Sequence, residues 1–144
     1  MKQEVVAALI VESQMILLGQ RSPTRISYPN VWDVFGGHIE AGEQPHQTLV
    51  RELQEELDIT PTKWTFLETM VASIPEQHGV RPYQLYLHLY LVTAWTRTPV
   101  NQQLHEHASI QWFSLEQAVQ LDLAHPTYLQ IFAKYLTPTT SRSP

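Results

Sequence analysis

The stretch GGHIEAGEQPHQTLVRELQEELDI, residues 36–59, holds the most informative pattern in the chain. Within it, leucine and valine recur at spacings of three and four residues, which is typical of an amphipathic helix. We predict a helix over residues 45–57, because Pro45 suits the first helical position and Pro61 disfavours helix in the residue before it. We expect the glycine pair at residues 36–37 to interrupt regular structure ahead of this helix.

The same stretch contains the excess negative charge of the protein. Residues 36–58 hold six acidic residues and one arginine, which equals the formal net charge of −5 of the whole chain. On a helix that turns about 100° per residue, Glu52, Glu55 and Glu56 share one sector roughly 100° wide. Such carboxylates repel one another unless a cation neutralises them, and Mg²⁺ prefers carboxylate oxygens. Taken alone, a solvated acidic surface is the alternative interpretation.

Strand patterns flank this helix on both sides. Apolar, β-rich runs predict six strands, at residues 5–11, 15–21, 32–35, 64–73, 83–93 and 110–113. Helical patterns follow at residues 114–121 and 126–136. Strands interleaved with helices indicate an α/β or α+β fold. The length of 144 residues predicts a single domain over residues 1–136, and the polar residues 137–144 are expected to fray.

The composition excludes several classes of protein. The chain has no cysteine, so a disulfide scaffold, a thiolate metal site and a cysteine nucleophile are excluded. No apolar run approaches the roughly eighteen residues of a membrane-spanning helix. The run at residues 5–11 lacks the basic start and the cleavage site of a secretory signal. Net negative charge argues against a nucleic-acid partner, and we therefore expect a soluble, cytoplasmic protein with no membrane partner.

Residues 37–59 resemble the signature of the Nudix hydrolases. Five residues separate Gly37 from Glu43, and seven more lead to residues 51–56, with the sequence Arg-Glu-Leu-Gln-Glu-Glu. Ile59 supplies the aliphatic residue that closes the signature. Eight of its nine defining positions are matched across 23 residues, and the order of strands and helices in the rest of the chain is similar to the family fold.

Two positions depart from the family pattern. Phe35 stands where members usually have a proline before the glycine pair, and Asp58 stands where the signature has a late glycine. That glycine suits a left-handed helix end, a conformation that aspartate tolerates better than most residues. We therefore expect a small cost in stability at this position rather than a loss of activity.

The resemblance implies both a fold and a reaction. The fold is a mixed β-sheet sandwiched between helices. The reaction is hydrolysis, at the pyrophosphate, of a nucleoside diphosphate linked to another moiety, with Mg²⁺ as the cofactor and Mn²⁺ as a substitute. The implied substrate is a small nucleotide, such as a nucleoside triphosphate or ADP-ribose. Because many members are dimers, a homodimer is also an expectation.

The resemblance also assigns roles to residues of the signature. The implied metal ligands are Gly37, through its carbonyl, Glu52, Glu55 and Glu56. Arg51 is expected to orient a glutamate such as Glu43 rather than to contact the substrate. Attack of water on phosphorus needs a general base, and here two candidates stay open. Glu52 is preferred, and Glu106, just before the late tryptophan strand, is the second.

Four further residues are candidates for contacts with the substrate. Arg21, at the end of a predicted strand, and Arg81, in a polar loop, are suited to phosphate, although each is also explained as a surface arginine. His38 is expected to line the entrance to the acidic loop. Tyr83 is suited to stacking on a base, although aromatic residues of strands more often pack in the core. We interpret residues 105–107, His-Glu-His, as a polar loop rather than a metal site.

A second class of function stays open beside hydrolysis. A catalytically silent Nudix-fold nucleotide sensor or interaction module would use the same fold. Such proteins usually have a degraded signature, whereas every signature glutamate is present in this chain. The nucleotide, the number of metal ions, the scissile phosphorus and the oligomeric state are not determined by the sequence.

Overall fold

The computed structural model describes residues 2–26 and 28–136, so the predicted tail at residues 137–144 lies outside the described residues. In chain order the elements are β1 (Lys2–Glu12), β2 (Met15–Arg21), β3 (Trp32–Asp33), β4 (Phe35–His38), α1 (Pro45–Leu57), β5 (Thr60–Ile74), β6 (Tyr83–Thr96), β7 (His107–Phe113), α2 (Leu115–Ala118) and α3 (Tyr128–Tyr135). None of the helices among the described residues is long and apolar enough to cross a membrane.

Seven strands form one mixed sheet around β1. This strand runs parallel to β6 on one side and antiparallel to β4 and β2 on the other. Beyond them, β6 pairs with β5, and β2 pairs with both β3 and β7. The inner position of β1 explains why residues 5–10 are buried on both faces of the sheet.

Two apolar clusters cover opposite faces of this sheet. Odd-numbered residues 5, 7 and 9 of β1 belong to the cluster that contains Phe132 of α3. Even-numbered residues 6, 8 and 10 belong to the cluster that contains Leu53 of α1. Successive strand residues point to opposite faces, so this one strand contributes to both cores. The arrangement confirms the predicted mixed sheet between helices.

The glycine pair lies inside a strand, so the prediction that it interrupts regular structure was wrong. Gly36 and Gly37 belong to β4, opposite Ala7 and Val6 of β1. A side chain at Gly36 would overlap the carbonyl oxygen of Val6, and glycine therefore permits this close approach.

The interruption occurs two residues earlier, at Val34. Its backbone N–H donates to Asp33 Oδ1 at 2.8 Å. The chain leaves β2 and joins β1 at this point, which divides the single strand predicted at residues 32–35 into β3 and β4.

Substituting alanine for Gly36 tests this close approach. We expect Gly36→Ala to lower the free energy of unfolding by about 2 kcal/mol, measured by urea denaturation, because the added methyl group has no space against β1. Gly42→Ala is the matched control, since nothing lies near its Cβ position and only its φ of 84° is unfavourable. An equal loss in both variants would contradict the packing explanation.

Three strands begin earlier than their local sequence indicates, and the first of them is β1, which starts at Lys2 rather than at residue 5. β5 starts at Thr60 and includes Pro61, which an edge strand tolerates because one side has no hydrogen-bonding partner. β7 starts at His107, which pairs with Arg21 of β2 through a shift in register. The prediction that residues 105–107 form a polar loop was therefore wrong for His107, whose side chain is buried.

The helix ends follow the predicted chemistry. Asp58 adopts the left-handed conformation, with φ of 58° and ψ of 36°, as expected for a residue in place of glycine. Its carboxylate also pairs with Arg97 at 2.8 Å. The capping box of Ser114 and Gln117 is confirmed at the start of α2, which ends at Ala118 rather than near residue 121.

Candidate active site

A cleft of about 580 Å³ opens between α1, which carries the glutamates of the signature, and the loops that precede β3 and β7. It is lined by seven of the predicted site residues, namely Arg21, Gly37, His38, Glu52, Glu56, Tyr83 and Glu106. Within the described part of the chain, three others lie outside the cleft walls, namely Arg51, Glu55 and Arg81. The structure therefore brings together residues from distant parts of the sequence and separates some neighbours on α1.

The glycine of the signature allows α1 to lie against β4. The carboxylate of Glu52 packs on the backbone of Gly37 so closely that a Cβ atom at residue 37 would overlap Glu52 Oε1. Any other residue at this position would displace the carboxylate. The spacing between the glycine and the glutamate thus places a backbone segment and a carboxylate at one point in the cleft.

Glu56 is the most enclosed acidic group of the cleft, with 7% of the residue exposed. Its Oε2 accepts the backbone N–H of Gly36 at 3.0 Å, and its Oε1 lies 3.1 Å from His107 Nε2. Burial raises the pKa of Glu56 to about 8, and the Gly36 hydrogen bond opposes that shift. The negative charges of Glu106 and Asp33 raise the pKa further.

Glu52 is shifted in the same direction. Burial raises the pKa of Glu52 to about 7, and the charge of Glu56 adds to the effect. Arg51 opposes the shift, because its Nη1 lies 3.0 Å from Glu52 Oε1. Two neighbouring carboxyls with raised pKa values indicate a site whose negative charge is not compensated by the protein alone.

Arg51 organises the acidic face on the solvent side of the cleft. It donates two hydrogen bonds to Glu43, from Nε at 2.7 Å and from Nη2 at 3.0 Å. Its Nη1 also lies within 4.0 Å of Glu40, Glu52 and Glu55. The Arg51 hydrogen bonds hold the pKa of Glu43 at about 2, so Glu43 stays ionised. This geometry suits the orienting role that the resemblance implies for Arg51.

The cleft contains a set of donor atoms that fits a divalent cation. Ligand atoms of Glu56, Glu106 and His107 all lie within 4.8 Å of one another. Glu52 and the backbone of Gly37 line the same cleft. Carboxylate and carbonyl oxygens are the ligands that Mg²⁺ and Mn²⁺ prefer, so the oxygen donors of Gly37, Glu52, Glu56 and Glu106 fit such an ion.

Glu55 lies apart from this set. Its side chain is 52% exposed, and its Oε2 is 3.5 Å from Arg51 Nη1. The helix places it on the solvent side of Glu52, about 60° around the axis. Its predicted role as a metal ligand stays a prediction.

The four residues predicted to contact the substrate differ in where they lie relative to the cleft. Arg21 lies deep in the cleft, where its Nε donates to the Tyr28 carbonyl at 3.0 Å. His38 lies at the rim, 2.9 Å from Gln3 Oε1. Tyr83 also lines the cleft, whereas Arg81 is exposed and lies outside the cleft walls.

Sequence reasoning missed an acidic residue in the cleft, Asp33. Its Oδ1 accepts hydrogen bonds from the Tyr128 hydroxyl at 2.9 Å and from the Val34 backbone N–H at 2.8 Å. Its Oδ2 lies 4.0 Å from Arg21 Nη1, and the side chain is 21% exposed. Burial raises the pKa of Asp33, and the Tyr128 hydrogen bond opposes the shift. The available signal was a lone carboxylate within a short strand of bulky apolar residues.

Sequence reasoning also missed His107, which was assigned to a polar loop. Its role depends on Glu56, which lies 51 residues earlier in the chain. The alternation of His105 and His107 around Glu106 was a visible signal, but it does not indicate which side chain turns inward.

Comparisons with known proteins agree with this geometry. A family model described as the NUDIX domain matches residues 1–135. The chain is 40% identical over 121 residues to a CTP pyrophosphohydrolase of Escherichia coli (strain K12), covering 84% of this chain and 82% of that protein. It is 32% identical over 94 residues to an 8-oxo-dGTP diphosphatase of Proteus vulgaris, covering 65% of this chain and 79% of that protein. The solution structure of the E. coli ORF135 protein matches with a TM-score of 0.66 and 35% identity, over 93% of this chain and 88% of that chain.

Proposed function

Because this chain belongs to the Nudix hydrolases, which cleave a nucleoside diphosphate linked to another moiety, we propose that its substrate is a nucleoside triphosphate that carries cytosine. Hydrolysis would release the nucleoside monophosphate and pyrophosphate. The observation that carries the proposal is Asp33, a partly buried carboxylate in the cleft. The relative named as a CTP pyrophosphohydrolase supports the same base.

The proposed cofactor is Mg²⁺, with Mn²⁺ as a substitute. Its ligands would be the Gly37 carbonyl and the carboxylates of Glu52, Glu56 and Glu106, with Glu55 as a further predicted ligand. When bound, the cation supplies positive charge that neutralises the polyphosphate. The two raised pKa values support this assignment, since a cation would hold both carboxyls in their ionised form.

Glu52 is the proposed general base, and Glu106 is the alternative. Glu52 is preferred on its position, since its carboxylate lines the cleft and packs against the backbone of Gly37. Glu52 would take a proton from the attacking water. Glu106 has a 39% exposed side chain and lies 3.9 Å from Arg25 Nη1, where it is suited to binding rather than to proton transfer.

Base recognition would occur at the end of the cleft that contains Asp33. Both donors to its Oδ1 come from the protein, so Oδ2 is the oxygen with capacity for a ligand. A carboxylate oxygen accepts a hydrogen bond from the amino group of cytosine, whereas uracil presents a carbonyl oxygen at that position. Arg21, beside Asp33, would contact the base or the adjoining phosphate.

The test is product release from a panel of nucleotides, with Mg²⁺ and with a chelator. The panel contains the common nucleoside triphosphates, 8-oxo-dGTP, ADP-ribose and nucleotide sugars. We expect chelator-sensitive cleavage that is fastest for CTP or dCTP, with monophosphate and pyrophosphate as products. Faster cleavage of ADP-ribose or of a purine triphosphate would contradict the proposed substrate, and binding without any cleavage would favour a nucleotide sensor.

Asp33→Asn gives a sharper test of base recognition. The asparagine oxygen can take the place of Oδ1, where two protein donors point, so that its amino group stands in place of Oδ2. A donor would then face the base, which favours uracil over cytosine. We expect the ratio of kcat/KM for CTP to that for UTP to fall by about 10- to 100-fold. Asp122→Asn, at an exposed position outside the cleft walls, is the matched control and is expected to leave the ratio unchanged.

A further inference from the structure

Two hydrogen bonds and a strand pairing fix the backbone of His107. Its N–H donates to the Gln103 carbonyl at 2.8 Å, and its carbonyl accepts from Asn101 Nδ2 at 2.8 Å. In the sheet it pairs with Arg21 of β2. These backbone contacts fix the position of the Cα atom from which the side chain of His107 extends.

The imidazole ring of His107 is equally constrained. The residue is 6% exposed, and the ring of Phe35 packs edge-on against it with 5.2 Å between centroids. On the β2 side, a Cβ atom at Gly19 would lie 3.2 Å from His107 Nδ1, closer than an ordinary van der Waals contact, so the ring packs tightly against β2. Packing on both sides leaves the ring little freedom to rotate.

From this position His107 Nε2 reaches Glu56 Oε1 at 3.1 Å, while the Gly36 N–H reaches Glu56 Oε2 at 3.0 Å. We propose that His107 is a positioning residue, which donates Nε2–H to Glu56 and holds that carboxylate in the orientation that binds the divalent cation. Two donors, one on each oxygen, fix the plane of the carboxylate. Each oxygen keeps a lone pair for a cation.

The hydrogen-bond partners of the ring distinguish positioning from direct ligation. His107 Nδ1 is buried and has no hydrogen-bond partner among the described residues. Ligation of a cation through Nε2 would require the proton on Nδ1, which would leave a buried donor unsatisfied. A proton on Nε2 instead satisfies the donor at Glu56. The geometry thus favours a ring that donates to a ligand over a ring that is itself a ligand.

The expected consequence is on metal affinity. Residues that hydrogen-bond to metal ligands typically change affinity by about 10- to 100-fold when they are removed. The inference rests on the proposed cation site, but it makes a separate claim about one residue within it. A readout without substrate therefore tests it apart from catalysis.

The experiment measures binding of Mn²⁺ alone to chelator-treated protein, with free Mn²⁺ followed by electron paramagnetic resonance. His107→Phe keeps a ring but removes the donor, and we expect the Kd for Mn²⁺ to rise about 10- to 100-fold. His107→Gln places an amide N–H near the former Nε2 and is expected to restore most of the affinity. His107→Asn is one methylene too short to do so.

The matched control is His88→Phe. His88 Nε2 also contacts a glutamate, Glu4, at 2.9 Å, but it lies outside the cleft walls. We expect this variant to bind Mn²⁺ like the wild type. A loss of affinity here that equals the loss in His107→Phe would overturn the inference.

A double-variant cycle separates positioning from a general structural role. If His107 acts through Glu56, the variant that combines Glu56→Gln and His107→Phe binds Mn²⁺ no more weakly than Glu56→Gln alone. Fully additive losses would overturn the inference, as would an unchanged Kd in His107→Phe. If His107→Phe does not fold, equal Kd values for His107→Gln and His107→Asn would overturn it instead. Absence of Mn²⁺ binding by the wild type would overturn the cation site itself.

Discussion

Glu56→Gln is expected to lower kcat by at least about 10³-fold while the protein stays folded. The substitution removes a charge from the proposed cation site, where charge stabilisation is worth several kcal/mol and each 1.4 kcal/mol is about a factor of ten. The fold is expected to survive, because glutamine has nearly the same shape as glutamate and its amide oxygen can still accept from one of the two donors that face Glu56, the Gly36 N–H or His107 Nε2–H. Steady-state kinetics with CTP, together with circular dichroism and urea denaturation, measures both effects.

Glu55→Gln is the matched comparison on the same helix. Glu55 is 52% exposed and contacts Arg51 rather than lining the cleft, so we expect a smaller loss of kcat than in Glu56→Gln. Equal losses in two folded variants would mean that Glu55 also enters the site in the working enzyme. Loss of folding together with activity in Glu56→Gln would indicate a structural role for that carboxylate.

Without divalent cations, the free energy of unfolding is expected to fall by about 3 kcal/mol between pH 5 and pH 8.5. The pKa of Glu52 is raised to about 7 and that of Glu56 to about 8, both from 4.5. At pH values between the ordinary pKa of 4.5 and the raised pKa values, these two carboxyls are protonated in the folded state and ionised in the unfolded state. The contribution of these two carboxyls to the free energy of unfolding is therefore fully present below pH 4.5 and is lost as the pH rises towards 7 and 8. Each pKa unit corresponds to about 1.4 kcal/mol, which solvent screening reduces.

Burial also raises the pKa of Asp33 above its ordinary value of 3.8, which adds to this loss, whereas other groups act in different parts of the pH range. Burial lowers the pKa values of His107 and His125, which opposes the loss, but only below about pH 6.5. The lowered pKa of Glu43 affects stability only below pH 4.5. The loss should therefore be steepest above pH 6.5.

Thermal and urea unfolding across this pH range, in chelator and in Mg²⁺, provide the measurement. Mg²⁺ is expected to raise stability more at pH 8.5 than at pH 5, because it binds the ionised carboxylates. Glu52→Gln is expected to flatten the profile in chelator. A chelated protein whose stability is constant or rises over this range would show that the two carboxyls are not shifted as described.

Much of the fold was predictable because its signals are local. The apolar spacing predicted the helix α1, Pro45 and Pro61 predicted its two ends, and Asp58 took the expected left-handed conformation. The interruption at the glycine pair was predicted wrongly, because Gly36 serves a close approach to β1 that exists only once the sheet has formed. A glycine indicates backbone freedom, but the sequence does not show which neighbour requires it.

The sequence by itself determined the signature helix and the positions of its glutamates, since both depend on 23 contiguous residues and one helical period. The class of reaction followed from the resemblance of these residues to the Nudix signature. Only the tertiary structure decided which carboxylates enter the cleft. Glu56 is enclosed there, whereas Glu55 lies outside the cleft walls and is exposed to solvent. It also decided their partners. The contact between Glu56 and His107 joins residues 51 positions apart, and that between Asp33 and Tyr128 joins residues 95 positions apart. Such contacts depend on strand register and on the packing of helices across the sheet, and no local periodicity encodes either.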